Sequence, residues 1–66
     1  MTIIINGEPS DVEDGITVER LLADLDVPTR GVAVAVDAEV VPRSAWGAFA
    51  LADGARVEVL IAVQGG

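Results

Sequence analysis

Gly65 and Gly66 close this chain directly behind an apolar run, residues 56–63, that has the character of a buried strand. The group with chemistry to offer is the terminal α-carboxylate of Gly66, carried on a short extension of Gln64, Gly65 and Gly66. Glycine has no Cβ and adopts backbone angles closed to other residues, so such an extension threads a narrow channel. A partner enzyme then reaches and activates the carboxylate without meeting a side chain. Glycine fills 7 of 66 positions, so two terminal glycines arise by chance in about one chain in a hundred of this composition. Composition alone is a poor account of the pair.

The rest of the chain offers little reactive chemistry. It has no histidine, which removes the commonest general base and metal ligand, and no cysteine for a disulfide or a thiolate site. Ser10 and Ser44 are hydroxyl nucleophiles with no imidazole to activate them. No catalytic residue, metal site or bound cofactor is expected, and the chain reads as a substrate of other enzymes. Eleven acidic residues against four arginines (Arg20, Arg30, Arg43 and Arg56) give a net charge of −7. That balance argues against nucleic acid and anionic membranes as partners, and it favours encounter with a basic protein surface. No apolar run approaches the roughly 18 residues of a membrane span, and no export signal opens the chain, so a cytoplasmic location is expected.

The elements that must hold the glycine pair follow from the pattern. Residues 2–6 form a β-branched run ending in Asn6-Gly7, a hairpin turn signal, and residues 10–13 are expected to return as a second strand before Asp14-Gly15. Thr17 is the expected N-cap of a helix with Glu19 in its first turn. Val18, Leu21, Leu22 and Leu25 recur at helical spacing as one apolar face, and Pro28 and Gly31 are expected to stop it. Residues 32–36 alternate valine and alanine, which points the valines to the core and the alanines outward or toward a partner. Asp37-Ala38 then turns into a short strand at 39–41. Residues 43–51 form an irregular connection with a helical turn around Ala45 and Trp46, and 56–63 is the last strand. The order ββαβββ, with one helix covering one face of a mixed sheet, defines an α+β ubiquitin-like β-grasp. One domain spans 1–66, with residues 64–66 as a flexible tail. The first and last strands are expected side by side and parallel at its centre. Leu21, Leu22 and Leu25 are expected to face Ile3, Ile5, Val34, Val59 and Ile61.

A single helix covers only one side of such a sheet. Ile4, Leu60 and Ala62 therefore fall on the open side with Ala33 and Ala35, an apolar patch expected to bind partners.

The β-grasp order, the short length, Val40-Val41-Pro42-Arg43-Ser44 with Trp46 close behind, Asp53-Gly54, and the ending Val63-Gln64-Gly65-Gly66 resemble the sulfur carrier proteins of thiamine (thiazole) biosynthesis. The resemblance covers essentially the whole chain. The terminal glycine pair is shared with ubiquitin and with the small subunit of molybdopterin synthase, so by itself it indicates only the superfamily. A sulfur carrier of another pathway and a ubiquitin-like protein modifier are the alternatives. The Pro42-Arg43-Ser44-x-Trp46 segment and the length favour the thiamine carrier. Asp37-Ala38 departs from the Asn-Gly-like turn usual there and is expected to loosen that hairpin. The resemblance implies that an E1-like adenylyltransferase consumes ATP to adenylate Gly66. A sulfur donor of the cysteine desulfurase or rhodanese type then gives a thiocarboxylate, which passes its sulfur to thiazole synthase. The free carrier is expected to be a monomer.

Overall fold

Asn6 and Gly7 both take left-handed backbone angles, with φ 48 and φ 85, and make the two-residue turn that fits the twist of a β-hairpin. The computed structural model describes residues 1–28 and 30–62, and in it β1 (Thr2–Ile5) and β2 (Glu8–Asp11) flank that turn directly. Ile5 pairs with Glu8 and Ile4 with Pro9. The return strand thus begins at Glu8, two residues earlier than expected, because a two-residue turn leaves no loop between the strands. Pro9 is tolerated because β2 is an edge strand, where a missing N–H faces away from the ladder.

The helix α1 (Val18–Asp24) starts as the sequence indicates. Thr17 Oγ1 accepts from the Arg20 amide at 3.2 Å. The Val18 and Glu19 amides donate to the Phe49 and Trp46 carbonyls at 3.0 and 3.2 Å, so the first-turn donors are all used. The end of the helix differs from expectation. Asp26 takes φ 57, its amide donates to Ala23 O, and Val27 N–H donates to Leu22 O at 3.3 Å. This is a Schellman reversal with aspartate at the position where glycine is usual. It ends α1 before Pro28 and Gly31, which therefore do not stop the helix. It also leaves Leu25 as the C-cap, 41% exposed and outside the core.

After α1 come β3 (Val32–Val36), β4 (Glu39–Val41), a 3₁₀ turn (Arg43–Ala45) and β5 (Arg56–Ile61). The sheet order is β2-β1-β5-β3-β4, with β1 and β5 parallel and the other pairs antiparallel. Ile3, Val18, Leu21, Val34 and Val57 are the most deeply buried side chains, and Ile16, Leu22, Val36, Val41, Leu51 and Val59 pack round them. Ile5 is partly buried against this core. Valines 34 and 36 face inward while Ala33 is exposed, as the alternation indicates. Trp46 is buried too, its Nε1 donating to Val41 O at 3.0 Å, so an indole joins what is otherwise an aliphatic core. Ile61 points to the helix side but is 49% exposed, a correction to its expected core position. The helix is only two turns long and has already ended where β5 reaches Ile61.

The Asp37-Ala38 turn closes the β3–β4 hairpin with both residues left-handed, φ 50 and φ 69. Asp37 Oδ1 accepts from Arg56 N at 3.0 Å and its amide donates to Arg56 O at 2.8 Å, so the turn is anchored on β5. Ala38 has no such compensation for its left-handed φ. Ala38→Gly is therefore expected to stabilise the domain by roughly 0.5–1 kcal/mol, seen as a melting temperature several degrees higher. A second pair of variants tests the packing. Leu22→Ala should cost about 2–5 kcal/mol, whereas Leu25→Ala should cost about 1 kcal/mol or less, since its side chain already meets water. Denaturant melts of the two variants, compared directly, decide it.

Candidate functional site

β5 is the strand that leads to the glycine pair, and the fold fixes it from both sides. β1 pairs with it only through Ile4–Arg56 and Ile5–Val57, because the chain turns away at Asn6. Beyond that point the Asn6 side chain takes over the ladder. Its Oδ1 accepts from Val59 N at 2.8 Å and its Nδ2 donates to Val59 O at 3.2 Å. A carboxamide presents one donor and one acceptor as a peptide group does, so β1 is in effect extended by one side chain. On the other side β3 pairs with β5 as far as Val32–Ile61. Ala62 N–H then donates to Gly31 O at 2.6 Å. Gly31 has φ 67, and a Cβ placed on it would stand 3.6 Å from Ala62 Cβ, at ordinary contact distance. The strand is held to Ala62, and the calls on Gln64, Gly65 and Gly66 lie outside the described residues.

The outer face of the sheet carries part of the expected patch. Leu60 is 64% exposed and sits opposite Ala33 on β3, with Ala62 exposed beyond it. Ala35 is half-buried and lies opposite Glu58 on one side and Val40 on the other. Ile4 is half-buried on the same face, but its neighbour there is Arg56. Four strand residues, about 13 Å, separate that position from Leu60. The structure therefore brings Leu60, Ala62 and Ala33 together and leaves Ile4 apart.

Arg43 connects this end of the sheet to the helix side. Its guanidinium lies over the Trp46 ring, 5.7 Å from the centroid. It borders a concavity of about 310 Å³ beside Ala33 and Leu60, and also a groove of about 470 Å³ lined by Leu22, Val27, Pro28 and Trp46. The segment that carried the resemblance thus has a physical logic. Val41 enters the core, Pro42 caps the 3₁₀ turn, Arg43 stacks, and Trp46 returns to bond Val41 O. The Met1 ammonium, bonded to Asp14 at 3.0 Å, is held above its ordinary pKa chiefly by that bond. It lies at the opposite end of the sheet from Ala62, away from the tail root.

These features define a ubiquitin-like β-grasp protein whose strand β5 is held as far as Ala62. The sequence matches the ThiS family over residues 3–66, and the chain belongs to that family. It is 36% identical to the thiamine biosynthesis protein (ThiS) from Geobacter metallireducens, whose crystal structure superposes with a TM-score of 0.86 over 100% of both chains. It is 32% identical to the sulfur carrier protein ThiS of Escherichia coli, again over 100% of both. It is also 39% identical over its whole length to part of the thiazole synthase of Paramagnetospirillum magneticum. The chain spans about a fifth of the length of the thiazole synthases it matches (20%).

The role of Asn6 goes beyond the turn that its sequence context signals, and the signal for it is only that a turn asparagine ends a strand parallel to a longer one. Asn6→Gly keeps the left-handed turn and deletes the amide. The expected result is a loss of about 1–3 kcal/mol and faster hydrogen exchange at the Val59 amide than global unfolding alone produces. An unchanged Val59 exchange rate would show that the clamp contributes nothing.

Proposed function

We propose that this chain is the sulfur carrier of thiazole formation in thiamine biosynthesis, acted on by partner enzymes and not itself a catalyst. The observation that carries the reading is the match to the Escherichia coli carrier over the full length of both chains. A β5 strand held firmly up to Ala62 supports it. A carboxylate is a poor electrophile and holds no sulfur, so it must first be activated. In the proposed sequence an E1-like adenylyltransferase lets a Gly66 carboxylate oxygen attack the α-phosphorus of ATP. Pyrophosphate leaves and an acyl adenylate forms. The terminal sulfur of a donor's cysteine persulfide, from a cysteine desulfurase or rhodanese-type protein, attacks the acyl carbon and AMP leaves. A thiol then cleaves the resulting acyl disulfide, giving the Gly66 thiocarboxylate and a disulfide on the donor. The thiocarboxylate is the nucleophile that thiazole synthase receives. That thiazole synthases contain a segment like this whole chain supports that enzyme as the partner. The chain itself binds no cofactor in this scheme, and ATP is consumed by the activating enzyme. Gln64 and Gly65 serve as the lead into each active site, and Leu60 and Ala62 with Ala33 form the docking patch beside it.

Incubation with the adenylyltransferase, ATP and a persulfide donor is expected to replace one terminal oxygen by sulfur, read by intact mass. Deleting Gly66 should abolish the product while leaving the melting temperature unchanged. Gly65→Val should reduce the rate by on the order of 100-fold or more, because a β-branched side chain stiffens and widens the tail and displaces the carboxylate. Sulfuration of the Gly66-deleted chain at the native rate would end this reading.

A further inference from the structure

Asn6 is the only asparagine of this chain, and Gly7 follows it directly. That dipeptide has a chemistry of its own. The Gly7 peptide nitrogen can attack the Asn6 side-chain carbonyl carbon, since glycine puts no side chain in the way. A carbon–nitrogen bond forms, the peptide proton passes to water, and ammonia leaves, so that a succinimide ring joins the two residues. Water then opens one of the two ring carbonyls. The product is aspartate or, with the main chain rerouted through the side chain, isoaspartate. Water is the only co-reactant.

The structure places this pair where water reaches it and yet restrains the reaction. Asn6 and Gly7 are both exposed, and a Cβ placed on Gly7 would meet nothing within 4 Å. Among the described residues no backbone carbonyl accepts from the Gly7 amide, so its nitrogen is open to ring closure. Two constraints oppose that closure. The two-residue turn fixes the Asn6 backbone at φ 48, and Val59 holds both ends of the carboxamide, at 2.8 and 3.2 Å. Bringing the side-chain carbon onto the Gly7 nitrogen requires rotation about bonds that the turn and the clamp fix.

We propose that Asn6–Gly7 is a deamidation site latched by the Val59 clamp, and that conversion removes the latch permanently. The amide that restrains the reaction is the group the reaction consumes. An ionised aspartate has no N–H to give Val59 O, and it sets two acceptors against each other where a donor and an acceptor stood 3.2 Å apart. Asp37 holds φ 50 in its own hairpin, so an aspartate keeps the turn while losing the clamp. Isoaspartate lengthens the main chain by one carbon and breaks the Ile5–Glu8 register as well. In both products β5 loses its partner on the β1 side beyond Val57 and keeps only β3. A molecule whose hairpin opens long enough to react is thereby marked irreversibly. None of this depends on the role proposed for Gly66.

The chain is incubated in mildly alkaline buffer, folded and, in parallel, unfolded by urea. Conversion of the side-chain amide to a carboxylate is followed by intact mass and in the proteolytic peptide that holds residue 6. Gln64 carries the only other side-chain amide and is read from its own peptide. The unfolded chain is expected to convert at least about tenfold faster than the folded one, because conversion in the folded chain waits on opening of the hairpin. Asn6→Asp, which supplies the first product in homogeneous form, should show a larger gain in hydrogen exchange at the Val59 amide than at Val34. If Asn6→Asp fails to fold, the folded and unfolded conversion rates decide alone. Equal rates in the two states overturn the latch. An unfolded chain that does not convert at residue 6 overturns the site. Native exchange at Val59 in folded Asn6→Asp overturns the loss of the clamp.

Discussion

Everything in this domain depends on β5 being paired on both edges. It is the only strand of the described sheet with β1 on one side and β3 on the other, and its inward residues Val57 and Val59 sit at the middle of the core. Two backbone ladders and two deeply packed valines together fix the strand that leads toward the C-terminal glycines. The remaining structure reads as what is needed to secure that strand. β2 covers the far edge of β1, β4 does the same for β3, and α1 supplies the leucines that close the inner face. Asn6 extends the pairing past the end of β1, to Val59, by offering a side-chain amide where β1 has run out.

So small a chain has little core to spare, and local devices matter correspondingly. At 66 residues only about 60% of the unfolded surface is buried on folding. The N-terminus of α1 uses all its early donors, and Trp46 satisfies its indole N–H inside the core. Against these, four non-glycine residues at chain reversals, Asn6, Asp26, Asp37 and Ala38, hold left-handed backbone angles. Asp37 is compensated by two hydrogen bonds to Arg56. Asp26 and Ala38 are not compensated in that way, and they mark where the sequence falls short of the turns its fold requires. The Asp37-Ala38 hairpin nevertheless forms with full pairing of residues 34–36 to 39–41, so the departure from an Asn-Gly-like turn strains the hairpin without opening it.

Much of the fold was legible in periodicity because periodicity reports which face is covered. The helical spacing of Val18, Leu21 and Leu22, the alternation in β3, and the Asn6-Gly7 turn all describe residues that the structure places as expected. The misplacements share one cause. Leu25 and Ile61 continue apolar patterns past the point where a covering element exists, and a pattern in one segment cannot show where its partner stops. The Schellman reversal that ends α1 was hidden because aspartate, not glycine, occupies its left-handed position. The contacts of residues 16–19 with 46–51 and the Asn6 clamp on Val59 were illegible for another reason. They join segments about 30 and 53 residues apart through two or three hydrogen bonds each, which leave no periodic trace. For the site, the outward placement of Leu60 and Ala62 followed from alternation, whereas the distance of Ile4 from them required the strand register.

Ile61 and Leu60, exposed on opposite faces near the end of β5, make physical sense together on the proposed reading. In the proposed role, with Gly66 as the reacting residue, the glycines themselves add little affinity, since glycine presents almost no surface. Binding energy has to come from the body, and it has to be applied close to the tail, because a short tether transmits position only over its own length. A core that closed completely round Ile61 would stabilise the free protein but present a polar or featureless rim at that spot. Leaving Ile61 and Leu60 exposed on opposite faces of a strand paired by β3 as far as Ile61 places apolar contact area at the end of β5, without loosening the strand itself. Rigidity up to Ala62 and exposure around it are thus complementary requirements. In the proposed role the first fixes where the carboxylate is delivered, and the second gives a partner something to hold.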